Sequence, residues 1–242
     1  MYAGISTNIV SPKNEWELFL QIIEYGFKNI ELYNSTTPIR TQDIPTLKEY
    51  TSKGFNFSIH TATNELFEGS NPINLADYYK FKSEIFTAGE IGAKLLIFHL
   101  PRKIKLTKEL AKEMLGLSQS AKSKGVQLVL ENNSKESFDD FDGLLDFLND
   151  AELKYCLDLG HLNVETKGDI ERQKEIISLL GTRIVQSHLH SNNGLSDQHK
   201  SLAKRQLALV DLLPKGTRLI AESPKLSNAL KSVKLIEDYF SK

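Results

Sequence analysis

The stretch VQLVLENNSKESFDDFDGLLDFLNDAELKYCLDLGH, residues 126–161, carries the pattern that decides the fold. It opens on a short apolar run, VQLVLE (126–131), crosses a longer amphipathic segment and closes on a second run, KYCLDL (154–159). Runs of this length, rich in branched apolar residues and bounded by turn formers, read as buried strands. Between them Phe138, Phe141, Leu145 and Leu148 step by 3, 4 and 3, which places them on one face of a predicted helix. Ser137 followed by Asp139 and Asp140 puts acid in that helix's first turn, where the dipole favours it. Two strands joined by a helix form the βα unit of a parallel sheet.

The same unit recurs to both ends of the chain. Upstream runs are AGIST (3–7), NIELY (29–33), FNFSIH (55–60) and KLLIFH (94–99); downstream come IVQSHLH (184–190) and RLIAES (218–223). Successive starts are 26, 26, 39, 32, 28, 30 and 34 residues apart, each enough for one strand, one helix and two loops. Leu110, Met114, Leu117 and Ala121 make an apolar stripe in one intervening segment, and Leu226, Leu230, Val233 and Phe240 another. Trp16 sits on the apolar face of the first helix, which Ser11 and Pro12 are expected to start as cap and first helical residue. Gly26, Gly54, Gly92, Gly125, Gly181 and Gly216 punctuate six of the seven helix-to-strand junctions, where a left-handed cap favours a residue without a Cβ. Eight such units with no linker or change of composition predict a single (β/α)8 TIM barrel domain over 1–242. The rival, a doubly wound open sheet, would show a glycine-rich phosphate turn after an early strand, and no G-x-G-x-x-G occurs.

Composition narrows the function classes. The chain has 242 residues, 40% hydrophobic and 25% charged, which excludes disordered, collagen-like and coiled-coil chains. No apolar run is long enough to cross a bilayer. A net charge of −1 gives no general attraction to nucleic acid or to an anionic membrane. Cys156 is the single cysteine, so no internal disulfide forms. The opening MYAGISTNIVSPKNE lacks the layout of a secretion signal, and a reducing cytoplasm is the expected setting. Cys156 stands two residues before Asp158 and reads as interior packing, and no G-x-S-x-G elbow is present.

Chemistry in such a barrel gathers at the C-terminal ends of the strands. Those ends carry Glu31, His60, His99, Glu131, Asp158 with His161, His188 with His190, and Glu222; Asp197 and His199 follow in the loop after the seventh strand. All six histidines therefore fall on one rim. Carboxylates and imidazoles converging on one mouth would repel or desolvate one another without a compensating cation. A mixed nitrogen and oxygen donor set suits Zn²⁺, Mn²⁺ or Co²⁺ and not Ca²⁺.

Taken in order, IELY, FSIHT, IFHLP, LVLEN, CLDLGH, SHLHSN, SDQH and IAES resemble the xylose isomerase-like barrel superfamily over essentially the whole chain. That superfamily includes sugar-phosphate isomerases and epimerases and the endonuclease IV type of AP endonuclease. For the single-metal isomerases and epimerases the resemblance implies Glu131, Asp158, His188 and Glu222 as metal ligands. Glu131 and Glu222 would also shuttle a proton at the carbon beside a metal-polarised carbonyl. His161 would contact a substrate oxygen. His60, His99, His190 and Glu31 are further candidates to face substrate, with an internal salt bridge the equal reading for Glu31 and a supporting or rim-filling place for His190. For the endonuclease type it implies up to three zinc ions, adding His60, His99, His161, Asp197 and His199 as ligands and making Glu131 a bridge.

The chain also departs from these patterns. HKSLAKRQL (199–207) lacks the Gly-x-Gly that follows D-x-H in many members, and Gly194 stands where some ketose epimerases carry an arginine. Loop signals for DNA are sparse: Arg40, Phe67 and the basic tract PRKIKLTK (101–108). The leading expectation is a metal-dependent isomerase or epimerase of a small sugar, sugar phosphate or polyol, working as a monomer or homodimer. A zinc phosphodiesterase acting on abasic DNA and a non-catalytic metal-bearing sugar-binding barrel are the alternatives.

Overall fold

The computed structural model describes residues 3–10, 15–35, 38–62, 75–101, 104–134 and 138–241. The expected helix start at Ser11 and Pro12, the expected role of Ser137, Phe67, and Arg102 with Lys103 of the basic tract lie outside the described residues. The strands are β1 (Ala3–Ser6), β2 (Asn29–Tyr33), β3 (Asn56–His60), β4 (Leu95–His99), β5 (Gln127–Glu131), β6 (Lys154–Asp158), β7 (Ile184–Leu189) and β8 (Arg218–Ala221). Around them run α1 (Glu15–Glu24), α2 (Ile44–Ser52), α3 (Leu75–Ile91), α4 (Lys108–Lys122), α5 (Phe141–Asp150), α6 (Leu159–Glu165), α7 (Ile170–Leu180), α8 (Leu207–Val210) and α9 (Leu226–Phe240). Each strand pairs in parallel with the next, and β8 returns to β1, so the sheet closes as a barrel. The expected TIM-barrel architecture is the observed one. No helix among the described residues is long and apolar enough to cross a membrane.

Alternation along the strands divides the apolar residues in two. Ile5, Ile30, Phe57, Leu96, Leu128, Leu157 and Leu219 point outward and join one large core with the helices. Leu95, Ile97, Val129 and Cys156 form a separate small cluster inside the barrel, the layer of side chains that plugs such a fold. Cys156 is accordingly fully buried packing. Two residues further along the same strands, in the same phase, lie His99, Glu131 and Asp158. The packed layer is the floor on which these polar side chains rest.

One irregularity sets the phase of β7. The register against β6 shifts between Tyr155 and Cys156, which pair with Ile184 and Gln186 and leave Val185 over. Such a bulge re-aims every residue beyond it. Because of it Asp158 pairs with His188 rather than with Ser187, and Gln186 and His188 join the inward set.

The helical stripes dock only in part as their spacing predicts. α4 buries Met114, Leu117 and Ala121 of the expected stripe together with Ala111, leaves Leu110 half-buried, and is capped by Thr107, whose side chain accepts from the Leu110 amide. α5 is a correction: its buried residues are Leu144, Phe147 and Leu148, while Phe141 and Leu145 are half-buried. Its apolar arc is broad, and periodicity alone does not say which part of a broad arc faces inward. The cap there is Asp140, which accepts from the Gly143 amide. α9 is a second correction: its buried stripe is Ala229, Ser232, Val233 and Ile236, so of the expected residues only Val233 is buried, Leu226 and Leu230 are half-buried and Phe240 is 37% exposed at the last turn. Trp16 is only partly buried and leans on Phe19.

All six junction glycines take positive φ, Gly125 at +75° for example. The seventh junction, between α5 and β6, achieves the same turn with Glu152 at φ +52°. A side chain there costs about 1–2 kcal/mol of local strain.

Candidate metal centre

The strand ends bring the predicted side chains to one point. Register places His99 opposite Glu131, and Asp158 opposite His188, so these ligands share a level of the barrel. Glu131, Asp158, His188 and Glu222 each offer a donor atom within 4.8 Å of all the others. His188 Nδ1 lies 2.8 Å from Glu131 Oε1, 3.2 Å from Glu222 Oε2 and 3.9 Å from Asp158 Oδ2. The second oxygen of Glu131 turns the other way, 3.0 Å from His60 Nε2 and 3.4 Å from His99 Nε2. His60, His99 and Glu131 form a second donor group, so Glu131 stands between two sets. A third group, His161, His190, Asp197 and His199, lies toward the outside of the mouth.

Neighbouring side chains hold the inner set in place. Glu31 Oε2 accepts from Gln186 Nε2 at 2.6 Å and sits 2.8 Å from His188 Nε2. A carboxylate on the far nitrogen fixes the tautomer and aim of a ligating histidine. Asn8 donates through Nδ2 to Glu222 Oε1 at 2.8 Å. Asn132 accepts from the Asp158 amide at 2.8 Å, donates to the Asp158 carbonyl at 3.1 Å and offers its own carbonyl to His161 Nδ1 at 2.8 Å. Asn8, Asn132 and Gln186 were not singled out by the sequence; the only signal is their place one or two residues from a ligand or at the end of β1.

Glu31 and His190 take the supporting places that were open to them beside a substrate-facing one. Glu31 lies in the middle of β2 and is 0% exposed, behind His188. His190 is also 0% exposed, with Nε2 3.0 Å from Asp158 Oδ2 and its ring stacked on His199 at a centroid distance of 3.9 Å. Both point their polar atoms at other site residues, so neither lines the opening. His60 is 1% exposed, whereas the side chains of His99 and His161 retain 15% and 13%. Leu195, at the tip of the loop after β7, is 76% exposed.

The electrostatics show what the cluster lacks on its own. Burial opposes charge on His188, yet Cys156, Glu131, Glu31 and Glu222 around it hold its pKa well above the usual histidine range. Burial likewise works against His161 and His199, but Asp158 and Asp197 raise the first to about 10 and Asp197 raises the second to about 9. His99 goes the opposite way, to about 4, because burial dominates and Glu131 only partly offsets it. Against their own burial, Glu131 and Glu222 are held far below the carboxylate range, with His188 the leading cause in both. Protons on imidazoles are thus balancing several buried carboxylates, a role that a divalent cation fulfils with fewer groups. Nδ1 of His99, His190 and His199 are buried without hydrogen-bond partners among the described residues. Oxygen and imidazole donors in this mixture fit Zn²⁺, Mn²⁺ or Co²⁺.

The molecule is thus a TIM barrel closed by eight parallel strands, with groups of carboxylates and imidazoles at its C-terminal mouth that could hold a divalent ion. The family model described as xylose isomerase-like TIM barrel matches residues 19–216, and the chain belongs to that family. Among solved structures it is similar to a D-tagatose 3-epimerase-like protein (TM-score 0.73, 20% identity, 100% of this chain and 97% of that one). It is similar to the IolI protein with a bound zinc atom (0.72, 16%, 100% of both chains). It is also similar to endonuclease IV from Thermus thermophilus (0.69, 14%, 100% and 99%). At these identities the likenesses define the fold, and the chemistry has to be argued from the site.

Proposed function

We propose that this protein is a divalent-metal-dependent enzyme that isomerises or epimerises a small sugar, sugar phosphate or polyol. The observation that carries this reading is the convergence of Glu131, Asp158, His188 and Glu222 donors within 4.8 Å of one another. A divalent ion held by these four residues would polarise a substrate carbonyl and stabilise the negative charge that develops on its oxygen. Glu131 and Glu222 approach His188 Nδ1 from two sides, and each has one oxygen occupied elsewhere: Glu222 by Asn8, Glu131 by His60 and His99. Two carboxylates so restrained can take a proton from carbon and return it from the other. His161, partly exposed at the mouth with Nδ1 on the Asn132 carbonyl and Nε2 on Asp197, would meet a substrate oxygen by exchanging its Asp197 contact for it. The similarity to a D-tagatose 3-epimerase-like protein supports the same substrate class.

The test is a panel of ketoses, sugar phosphates and polyols against metal-reconstituted protein. Turnover of one member, abolished in Glu131→Gln and Glu222→Gln with metal partly retained, is the expected result. An unchanged rate in either variant overturns the assignment.

A second reading rests on a separate observation, the sharing of Glu131 between the inner set and His60 with His99, accompanied by the outer group. Three such groups suit a multinuclear zinc phosphodiesterase of the endonuclease IV type, to which the chain is similar in fold. Incision of an abasic-site duplex in the presence of zinc would favour this reading, and intact duplex removes it.

A further inference from the structure

Beneath the inner donors the barrel interior is divided. On β4, β5 and β6 it is filled by Leu95, Ile97, Val129 and Cys156. On β2, β3, β7 and β8 it carries Glu31, Ser58, Gln186 and Arg218 instead. Register and contacts tie these four together. Ser58 pairs with Glu31 across β2 and β3, and Gln186 pairs with Arg218 across β7 and β8. Gln186 Nε2 donates to Glu31 Oε2 at 2.6 Å. Arg218 Nη1 and Nη2 donate to the Phe57 and Asn56 carbonyls at 3.2 Å and 2.9 Å, just before Ser58 on β3.

Each of the four keeps one buried polar atom without a hydrogen-bond partner among the described residues: Glu31 Oε1, Ser58 Oγ, Gln186 Oε1 and Arg218 Nε. Buried polar atoms are seldom left so. The two amide and carboxylate oxygens accept, the Arg218 Nε–H donates, and the Ser58 hydroxyl can turn to donate. Two donors and two acceptors are the complement of one water molecule, and buried waters settle where such groups meet. We propose that Glu31, Ser58, Gln186 and Arg218 form a binding site for one buried water, which joins Arg218 to Glu31 and so positions His188 for its ion. The water site stands whatever the inner set does; its effect on His188 rests on the divalent-ion reading given above.

The link to the inner set runs through Glu31. Its Oε2 lies 2.8 Å from His188 Nε2, and a carboxylate held by both oxygens keeps that aim better than one held by a single oxygen. Arg218 supplies the balancing charge. Burial draws its guanidinium down to about 10, with Glu31 the foremost opposing charge, so it stays a cation at neutral pH. Both Nη groups are committed to β3 carbonyls, which leaves Nε as the donor for the interior.

The test joins a crystal structure of the full-length protein, at a resolution that shows ordered water, to zinc titration of variants. One water within hydrogen-bond distance of all four side chains is expected. Direct contact of Arg218 Nε with the Glu31 or Gln186 oxygen, and no water among the four, overturns the proposal. Arg218→Met removes the charge and the donor and should weaken zinc binding about 10–100-fold. Arg218→Lys keeps a cation that can donate and should recover most of that affinity, although both variants lose carbonyl contacts and melt earlier. Wild-type zinc affinity in folded Arg218→Met, or an equal loss in both variants, assigns Arg218 to stability alone and overturns its positioning role. Ser58→Ala removes a single bond to the water and serves if neither arginine variant folds; an unchanged zinc affinity there overturns the link as well. A wild type that binds no divalent ion removes the divalent-ion reading and the effect on His188 with it, while the crystal structure still decides the water site.

Discussion

The inner and outer groups lie side by side at one barrel mouth, yet they are built in different ways. The inner donors sit on or just beyond strands β5 to β8, whose backbones are tied into the closed sheet, and their side chains are 0–6% exposed. The outer donors come from the first turn of α6, the end of β7 and a loop; Asp197 and His199 side chains are 27% and 22% exposed. The inner set depends on ladder geometry and the buried partners Glu31, Gln186 and Asn8. The outer set depends on loop hydrogen bonds, on Gly160, where a Cβ would lie 1.9 Å from His190 Cε1, and on His199 held at φ +43°. The lesson is a difference in support: one donor set is fixed by the rigid scaffold of the sheet, the other is carried largely by a loop.

The sharpest way to break this division is to alter a reacting carboxylate. Glu131→Gln keeps the shape and removes the proton carrier, so turnover should fall about 10²–10⁴-fold, measured on the substrate found by the panel. His188→Ala attacks the scaffold side. It leaves Glu31, Glu131 and Glu222 buried without their shared cation, and metal-free protein should lose about 3–5 kcal/mol of stability in urea melts. A loss below about 1 kcal/mol would mean that water or protons replace the imidazole easily.

Asn192→Ala probes the loop side. Asn192 accepts from Asn163 Nδ2 at 2.7 Å and from the Gly194 amide at 2.9 Å, and donates to the Gly160 carbonyl at 2.7 Å. Removing it should cost about 1–3 kcal/mol, seen as a lower Tm. An unchanged Tm would show that the loop does not depend on these hydrogen bonds.

The smallest effect compares two residues with positive φ. The His199 side chain at φ +43° belongs to the outer donor group and meets Asp197, whereas the Glu152 side chain at +52° makes only an exposed contact to Lys122. Glu152→Gly should therefore stabilise the fold by about 0.5–1 kcal/mol, read as a rise in Tm, with no change in metal content. A destabilised Glu152→Gly would show that its surface ion pair outweighs the strain.

Much of this was legible beforehand. Eight short apolar runs at regular spacing give strands, and a parallel barrel gathers its strand ends at one mouth, so His60, His99, Glu131, Asp158, His188 and Glu222 could be placed without coordinates. The glycines between helix and strand were legible because φ above zero is a local property of the chain. The rotation of α5 was not, since an arc holding Leu144, Leu145, Phe147 and Leu148 has no unique centre until it meets the sheet. The depth of Glu31, the bulge at Val185 and the fit of His190 over Gly160 depend on which strand twists past which, and no local pattern encodes that.

By itself, then, the sequence determined the repeating unit, the closed barrel and the residue types at its mouth, because these follow from periodicity and short-range backbone preference. Only the tertiary structure decided which donors meet: that Glu131 divides its two oxygens between neighbouring groups, that Glu31 backs His188 instead of facing the opening, and that His190 turns a free nitrogen toward Asp197. Those relations join residues up to 157 positions apart, and they arise from strand register and side-chain packing across the closed sheet, which act between segments rather than along them.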